Sequence, residues 1–193
     1  MLGRSLAISP QGTILAFENA DLSLRALDGH SGRTVWKYPV SDYLTSDLAM
    51  GDDGSVYVSR AFGDVLAVDS QDGRLMWKQK VGRSPAATAA DGAVYVRTDD
   101  NRISALDART GQPRWQQEIK DEKLGSPRVD PEGNVVVTGS TGTARGLDAE
   151  NGQTRWRANL GGELSPAVAG SNDEVFFSDA SGRVVGLHPQ QGC

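Results

Sequence analysis

The sequence has almost no cysteine: its one cysteine, Cys193, is the last of 193 residues. An internal disulfide and a cysteine-rich zinc site are therefore excluded. Long apolar runs are also missing, since no stretch approaches the ~18 residues that a transmembrane helix needs. The opening residues MLGRSLAISPQG contain no sustained apolar segment and no clear cleavage site, so we expect no signal peptide in this chain.

Basic residues are in deficit, with 20 Lys and Arg against 25 Asp and Glu and a net charge of −5. This balance argues against a general nucleic-acid-binding surface, which requires a basic patch or stripe. Glycine, in contrast, is abundant at 23 residues. Many glycines in a chain of this size favour a turn-rich, all-β protein over a helical one.

The four tryptophans recur at a nearly fixed interval of 41, 38 and 41 residues. An aspartate lies eight residues before each tryptophan and a glycine lies four residues before it. The four copies are Asp28, Gly32 and Trp36; Asp69, Gly73 and Trp77; Asp107, Gly111 and Trp115; and Asp148, Gly152 and Trp156. A fifth copy, LHPQQGC, has His188 in place of the aspartate and ends before its tryptophan. A fixed period of this length is the signature of a repeat architecture.

Each repeat has the pattern of four short antiparallel strands, with the first hairpin of the third repeat centred on Asp91-Gly92. The other first hairpins are predicted at Gln11-Gly12, Asp53-Gly54, Glu132-Gly133 and Asn172-Asp173. Four strands per ~40 residues form a blade of a β-propeller. We therefore predict an all-β chain, 1–193, of about five blades, the last incomplete. The approximate blades are 5–40, 46–81, 84–119, 126–160 and 165–193. The chain could be an arc of a larger propeller or be completed by another chain.

The repeated residues have a structural explanation. A buried tryptophan contributes ~150–250 Å² of contact surface, and its indole N–H needs an acceptor, for which a backbone carbonyl of the neighbouring blade is the natural choice. The glycine is expected at positive φ, and the aspartate is expected to accept backbone N–H groups across the same turn. Because they recur in every blade, these aspartates fit a scaffold better than a calcium or catalytic site.

The pattern of Asp, Gly and Trp resembles the tryptophan-docking motif of the pyrroloquinoline quinone repeat family, and it covers essentially the whole chain. That family includes quinone-dependent dehydrogenases and cofactor-free propellers of the BamB type. The dehydrogenases often carry an adjacent cysteine pair, and they have a Glu, Asn and Asp calcium set and a tryptophan under the quinone. None of these features can be mapped onto this sequence. The resemblance therefore implies a non-catalytic propeller scaffold with no cofactor. A fragment of a quinone-dependent dehydrogenase lacking a recognisable cofactor site is the alternative.

Other candidate sites are weaker. The acidic turns Asp52-Asp53-Gly54 and Asp99-Asp100-Asn101 lack the alternating acidic spacing of a calcium loop. His30 and His188 lie in repeat turns, and a metal site would need further ligands beside them. We therefore predict no catalytic and no metal-binding residue.

The linker YPVSDYLTS places Tyr38, Tyr43 and Leu44 in positions that look exposed. The resemblance implies that loops at one end of the propeller bind a protein partner, and Tyr43 and Leu44 are the predicted contact residues. Closing the gap between two blades is the alternative role for both. The end blades could also allow self-association. No membrane span or nucleic-acid partner is expected, and the resemblance suggests a bacterial cell-envelope or secreted protein.

Overall fold

The protein is described by a computed structural model that covers residues 5–120, 123–170 and 174–188. Within these residues the secondary structure consists of short β-strands, and no helix is present that could cross a membrane. The strands form five antiparallel sheets, each built from consecutive strands. This is the all-β propeller class that the repeats predict, with each sheet forming one blade.

The first sheet has the order β1 (Leu6–Ile8), β2 (Ile14–Glu18), β3 (Ser23–Leu27) and β4 (Thr34–Pro39). The second contains β5 (Ala49–Met50), β6 (Ser55–Arg60), β7 (Asp64–Asp69) and β8 (Leu75–Lys80). The third contains β9 (Ala86–Ala90), β10 (Ala93–Arg97), β11 (Arg102–Asp107) and β12 (Pro113–Glu118). The fourth contains β13 (Arg128–Val129), β14 (Val135–Thr138), β15 (Thr143–Leu147) and β16 (Thr154–Asn159). The fifth has three described strands, β17 (Val168–Ala169), β18 (Val175–Ser178) and β19 (Val184–Leu187).

Glycines close the first hairpins of four sheets. Gly12, Gly54, Gly92 and Gly133 have φ of +84°, +84°, +69° and +81°, a region that favours glycine because it has no Cβ. These turns lie where the sequence predicts them. The fifth predicted turn, Asn172-Asp173, lies outside the described residues.

A small residue faces each tryptophan across the outermost strand pair of its sheet. The paired residues are Ala26 with Trp36, Ala67 with Trp77, Ala105 with Trp115 and Gly146 with Trp156. A register shift follows the small residue in all four sheets. Such a bulge turns the strand locally and can redirect a side chain. At Gly146 the need for a small residue is direct, because a Cβ there would lie 2.0 Å from the Trp156 indole nitrogen.

The chain divides into two compact units, each with its own core. The first comprises Met1–Val94 with Asp107–Gln112, and the second comprises Tyr95–Leu106 with Pro113–Cys193. The core of the first unit packs Leu15, Phe17 and Leu24 of the first sheet against residues of the second, including Val56 and Leu66. The core of the second unit includes Val136, Ala144, Val175 and Phe177. Within each unit, burial of a face of one sheet against another stabilises these short strands.

Candidate functional site

Each of the first three tryptophans docks on the repeat that follows it. The indole N–H of Trp36 donates to the Ser70 carbonyl at 3.1 Å, that of Trp77 to Ala108 at 2.7 Å, and that of Trp115 to Ala149 at 2.8 Å. Each acceptor directly follows the motif aspartate of its own repeat. The expected backbone acceptor in the following repeat is thus present in all three cases.

The motif glycine of the following repeat provides the surface on which each indole lies. A Cβ at Gly73, Gly111 or Gly152 would fall 2.6–2.7 Å from ring atoms of Trp36, Trp77 or Trp115, respectively. The same three glycines have φ of +74°, +72° and +74°. Glycine is therefore required at these positions for two reasons: the backbone has positive φ, and the indole occupies the space that a Cβ would need.

The motif aspartates accept hydrogen bonds within their own turns. The Oδ1 atom of Asp28 accepts from the Ser31 backbone N–H at 2.7 Å, that of Asp69 from Gln71 at 2.8 Å, and that of Asp107 from Thr110 at 2.9 Å. Asp148 accepts from Glu150 at 2.8 Å through the same atom, and its other oxygen accepts from Arg155. Hydrogen bonds from the Ser31 hydroxyl and backbone lower the pKa of Asp28, and the bond from Arg155 lowers that of Asp148. The aspartates thus stabilise the turns that carry the docking glycines.

Trp156 is the motif tryptophan of the fourth repeat. Its indole nitrogen is buried and has no hydrogen-bond partner among residues 5–120, 123–170 and 174–188. The equivalent acceptor would be the residue after His188, which lies outside the described residues, as does the motif glycine Gly192. His188 itself contacts Glu174, with 3.1 Å between Nε2 and Oε1.

The acidic turns also form local contacts. Asp53 accepts from the Ser55 backbone N–H at 2.9 Å, while Asp99 pairs with Arg97 and Asp100 with Arg102. His30 lies in an exposed turn, and its backbone N–H donates to Asp28 at 3.3 Å. Within the described part of the chain, no group of three or more acidic, histidine or cysteine side chains could hold a metal ion.

The two predicted contact residues differ in burial. Tyr43 is 62% exposed, whereas Leu44 is only partly exposed and packs against the core of the first unit, as does Tyr38. Leu44 forms an isolated bridge with Arg60, and Leu124 and Leu164 form the same bridge in later repeats. The residues before these leucines are Tyr43, Lys123 and Glu163. Leu44 therefore occupies a repeated structural position, and Tyr43 is an aromatic residue where the other two repeats have a charge.

A second exposed aromatic residue, Phe62, lies on the turn beside this linker and is 65% exposed. It immediately precedes Gly63, whose φ is +87°. Positive φ recurs at the matching turn of the other repeats, at Leu22, Asn101, Gly142 and Gly182. The residues that precede these four are all polar: Asp21, Asp100, Thr141 and Ser181. Sequence reasoning missed Phe62, although comparing the turns position by position would have found it.

The linker and the turn are held together by backbone and carboxylate hydrogen bonds. The Ala61 backbone N–H donates to the Tyr43 carbonyl at 2.9 Å. Asp42, which is 6% exposed, accepts from the backbone N–H of Tyr43 at 2.8 Å and of Phe62 at 2.6 Å. We call the side chains of Tyr43 and Phe62 the aromatic pair. The buried Asp42 carboxylate therefore holds the backbone of Tyr43 and the backbone of Phe62 together.

A buried ion pair lies next to Phe62. Arg60 donates to both carboxylate oxygens of Asp64, at 2.6 and 2.7 Å, and its third nitrogen donates to the Val40 carbonyl at 2.7 Å. Its guanidinium carbon lies 5.9 Å from the centre of the Phe62 ring, within the range of a cation–π contact. The bonds to Asp64 raise the pKa of Arg60. Burial by itself raises the pKa of Asp64, but the bonds from Arg60 and Lys78 outweigh it and lower that pKa overall.

Comparison with known proteins identifies a matching family. The family described as outer membrane protein assembly factor BamB matches residues 20–164 and, in a second overlapping alignment, residues 82–193. Together these two matches extend over most of the sequence. No curated protein matches the sequence.

Solved structures with the same fold include the crystal structure of BamB from Moraxella catarrhalis. It is 23% identical with a TM-score of 0.74, and the match covers 96% of this chain and 59% of that one. The computationally designed Ika8 protein is 17% identical with a TM-score of 0.76, and the match covers 95% of this chain and 57% of that one. The chain thus spans less than two thirds of the length of either structure. Because 1377 solved chains match, the fold alone does not identify a function.

Proposed function

Because this chain belongs to the family of the outer membrane protein assembly factor BamB, we propose that it is a non-catalytic scaffold that binds a protein partner through the aromatic pair. The observation that carries the proposal is the position of Tyr43 and Phe62. Both are more than 60% exposed, and both replace polar residues of the repeat pattern. Aromatic side chains are enriched at the centres of protein interfaces because they bury a large area with little loss of conformational freedom.

The remaining repeated residues support this reading because their polar groups are already engaged. The motif aspartates bond their own turns, and three of the tryptophans bond the next repeat. A ligand set or an acid–base pair would have to come from positions that differ between repeats. Tyr43 and Phe62 are such positions, and their side chains suit contact with a protein better than catalysis of a reaction.

Site-specific photo-cross-linking tests the proposal. The photoreactive residue p-benzoylphenylalanine replaces Tyr43 or Phe62 in the full chain, which is expressed in the cells of its origin and irradiated. We expect a discrete protein adduct from each position, identified by mass spectrometry, because both side chains would lie within the interface. The same substitution at Leu75, which is 40% exposed on β8, is the matched control.

The outcome at the control position decides the interpretation. An adduct at Tyr43 and Phe62 that is absent at Leu75 supports a specific binding surface. If neither aromatic position gives a protein adduct, or if all three positions capture the same set of proteins, the proposed function is wrong.

A further inference from the structure

The aromatic pair lies among cations, and we infer that it binds an acidic segment of a partner protein that also carries an apolar side chain. This inference rests on the proposed function and specifies the partner's chemistry. The apolar side chain would pack on Tyr43 and Phe62, and the acidic side chains would face the neighbouring cations.

Three short segments meet at this surface: residues 40–44, 60–64 and 80–84. The turn of Phe62 is tied to the third segment, because the backbone N–H groups of Val81 and Gly82 donate to the Gly63 carbonyl at 3.0 and 3.1 Å. A Cβ at Gly63 would lie 2.6 Å from the Gly82 carbonyl oxygen. The Lys80 ammonium group also donates to the Phe62 carbonyl. The third segment therefore contributes its side chains to the same surface as the aromatic pair.

The charges in these segments are distributed unequally between interior and surface. Their basic residues are Arg60, Lys80 and Arg83, and their acidic residues are Asp42 and Asp64. Both acidic residues are buried and engaged, Asp42 by two backbone N–H groups and Asp64 by Arg60 and Lys78. Lys80 and Arg83 are exposed. Around the aromatic pair, the charge that these segments present to a partner is positive, although the whole chain carries −5.

This combination suits a protein segment better than a membrane or a nucleic acid. Recognition of an anionic membrane surface through charge typically uses clusters of about four to eight Lys and Arg residues, and here two cations are exposed. Nucleic-acid binding would require a basic stripe, which a chain of this net charge does not favour. Local positive charge beside fixed aromatic groups instead gives electrostatic complementarity to a short acidic and apolar sequence. The hydrogen bonds that fix both turns reduce the conformational entropy lost on binding.

Fluorescence anisotropy with three short synthetic peptides tests the inference on the full chain. The first peptide combines Glu with Leu and Phe, the second replaces its apolar residues with Ser, and the third replaces its Glu with Lys. We expect the first peptide to bind about tenfold more tightly than either of the others, a difference of about 1.4 kcal/mol. Its affinity should fall as the salt concentration is raised, because part of the attraction is electrostatic.

Two variants separate the aromatic and the charged contributions. The double variant Tyr43→Ser and Phe62→Thr removes both rings without adding a charge. Tyr43 is exposed and Thr141 supplies the residue at the position matching Phe62, so the fold is expected to tolerate both changes. This variant should weaken binding of the acidic apolar peptide about tenfold or more. The double variant Lys80→Gln and Arg83→Gln should weaken binding about threefold to fivefold and remove most of the salt dependence. Leu75→Ser is the surface control and should leave the affinity unchanged.

Several results would overturn the inference. These are equal binding of all three peptides, stronger binding of the basic apolar peptide, or an affinity unaffected by the Tyr43 and Phe62 substitutions. Displacement of the acidic apolar peptide by phosphatidylglycerol vesicles or by single-stranded RNA would likewise contradict a protein partner of this chemistry. If the photo-cross-links form and the peptide preference fails, only the partner's chemistry is wrong. If the photo-cross-links also fail, the proposed function itself is wrong.

Discussion

The indole ring of Trp77 lies directly against Gly111 of the next repeat. A Cβ at Gly111 would be 2.6 Å from Cδ2 of the indole, and the Trp77 N–H donates to the Ala108 carbonyl three residues earlier. The Tyr57 ring packs at 5.7 Å from the indole of Trp77, and its hydroxyl donates to the same carbonyl at 3.4 Å. One turn of the third repeat thus anchors two aromatic side chains of the second.

Gly111→Ala should be strongly destabilising. The new methyl group would clash with the Trp77 ring, and alanine is strained at φ of +72°. We expect a loss of about 3 kcal/mol in the free energy of unfolding, combining overpacking with backbone strain. Urea denaturation followed by circular dichroism measures it.

Gly32→Ala is the matched control. Gly32 has a similar φ of +66°, but no described atom lies within 4 Å of the position of its Cβ. Backbone strain alone should cost about 1 kcal/mol. Equal losses in the two variants would mean that contact with the indole does not constrain Gly111.

Trp77→Phe should be far more destabilising than Tyr57→Phe. Trp77 would lose a 2.7 Å hydrogen bond and part of its buried volume, for about 2–3 kcal/mol. Tyr57 would lose a long bond to a carbonyl that keeps its indole donor, and an interaction with Ser55, for about 0.5–1 kcal/mol. The two urea midpoints decide the comparison, and a larger loss for Tyr57→Phe would contradict this order of importance.

Asp64→Asn should lower the free energy of unfolding at neutral pH and should also make that free energy less dependent on pH. The folded-state pKa of Asp64 lies below its ordinary value, near 3.9 in an unfolded chain, so its contribution is complete above that pH and is lost as the pH falls. The Arg60 side chain is only 10% exposed and would lose its counter-charge, which costs about 2–3 kcal/mol at neutral pH. Urea midpoints at about pH 6 and about pH 3 should differ less in the variant than in the unmodified chain.

Asp179→Asn provides the comparison for this pH effect. Hydrogen bonds from Ser181 and Arg183 lower the pKa of Asp179 to about 2, so its contribution is lost as the pH falls below the ordinary range of a carboxyl group. Arg183 is half exposed and stays hydrated after the substitution, so the loss at neutral pH should be small. If Asp179→Asn destabilises the neutral protein as much as Asp64→Asn does, burial of the Arg60 pair is not the reason for its importance.

Leu124, Leu44 and Tyr43 should show decreasing sensitivity to replacement by alanine. Leu124 is 3% exposed, and Leu124→Ala should lower the free energy of unfolding by about 3 kcal/mol. Leu44 is partly exposed, and Leu44→Ala should lower it by about 1–2 kcal/mol. Tyr43→Ala should change the free energy of unfolding by less than about 0.5 kcal/mol, because the side chain is on the surface. Thermal unfolding of the three variants tests this order, and a large loss for Tyr43→Ala would assign that side chain to packing.

The docking motif could be predicted in detail from the sequence because it repeats. Fixed spacing of Asp, Gly and Trp, together with the need to satisfy a buried indole N–H, was enough to predict a carbonyl acceptor in the next repeat and glycine at positive φ. The partial burial of Leu44 is not evident from its linker, which left both surface contact and packing between blades open for this residue. Leu44 forms a bridge with Arg60 and packs against the core of the first unit, and both contacts depend on residues distant in sequence.

Phe62 was missed for a different reason. In its own segment, Arg-Ala-Phe-Gly-Asp, nothing distinguishes it from a core residue at the end of a strand. Its exposure follows from the turn at Gly63, which places the side chain at the tip. Only comparison with the matching turns, where polar residues precede the positive φ, shows that the aromatic residue is unusual.

The forward direction of tryptophan docking also gives the chain an order of assembly during synthesis. Each acceptor lies 31 to 34 residues after the indole that it satisfies. A ribosome must therefore extend the chain by nearly one whole repeat before the tryptophan of the preceding repeat can be buried. Each of the first three blades is stabilised late, by its successor, and a ribosome that stalls within the following repeat leaves the indole of that blade exposed to chaperones and proteases.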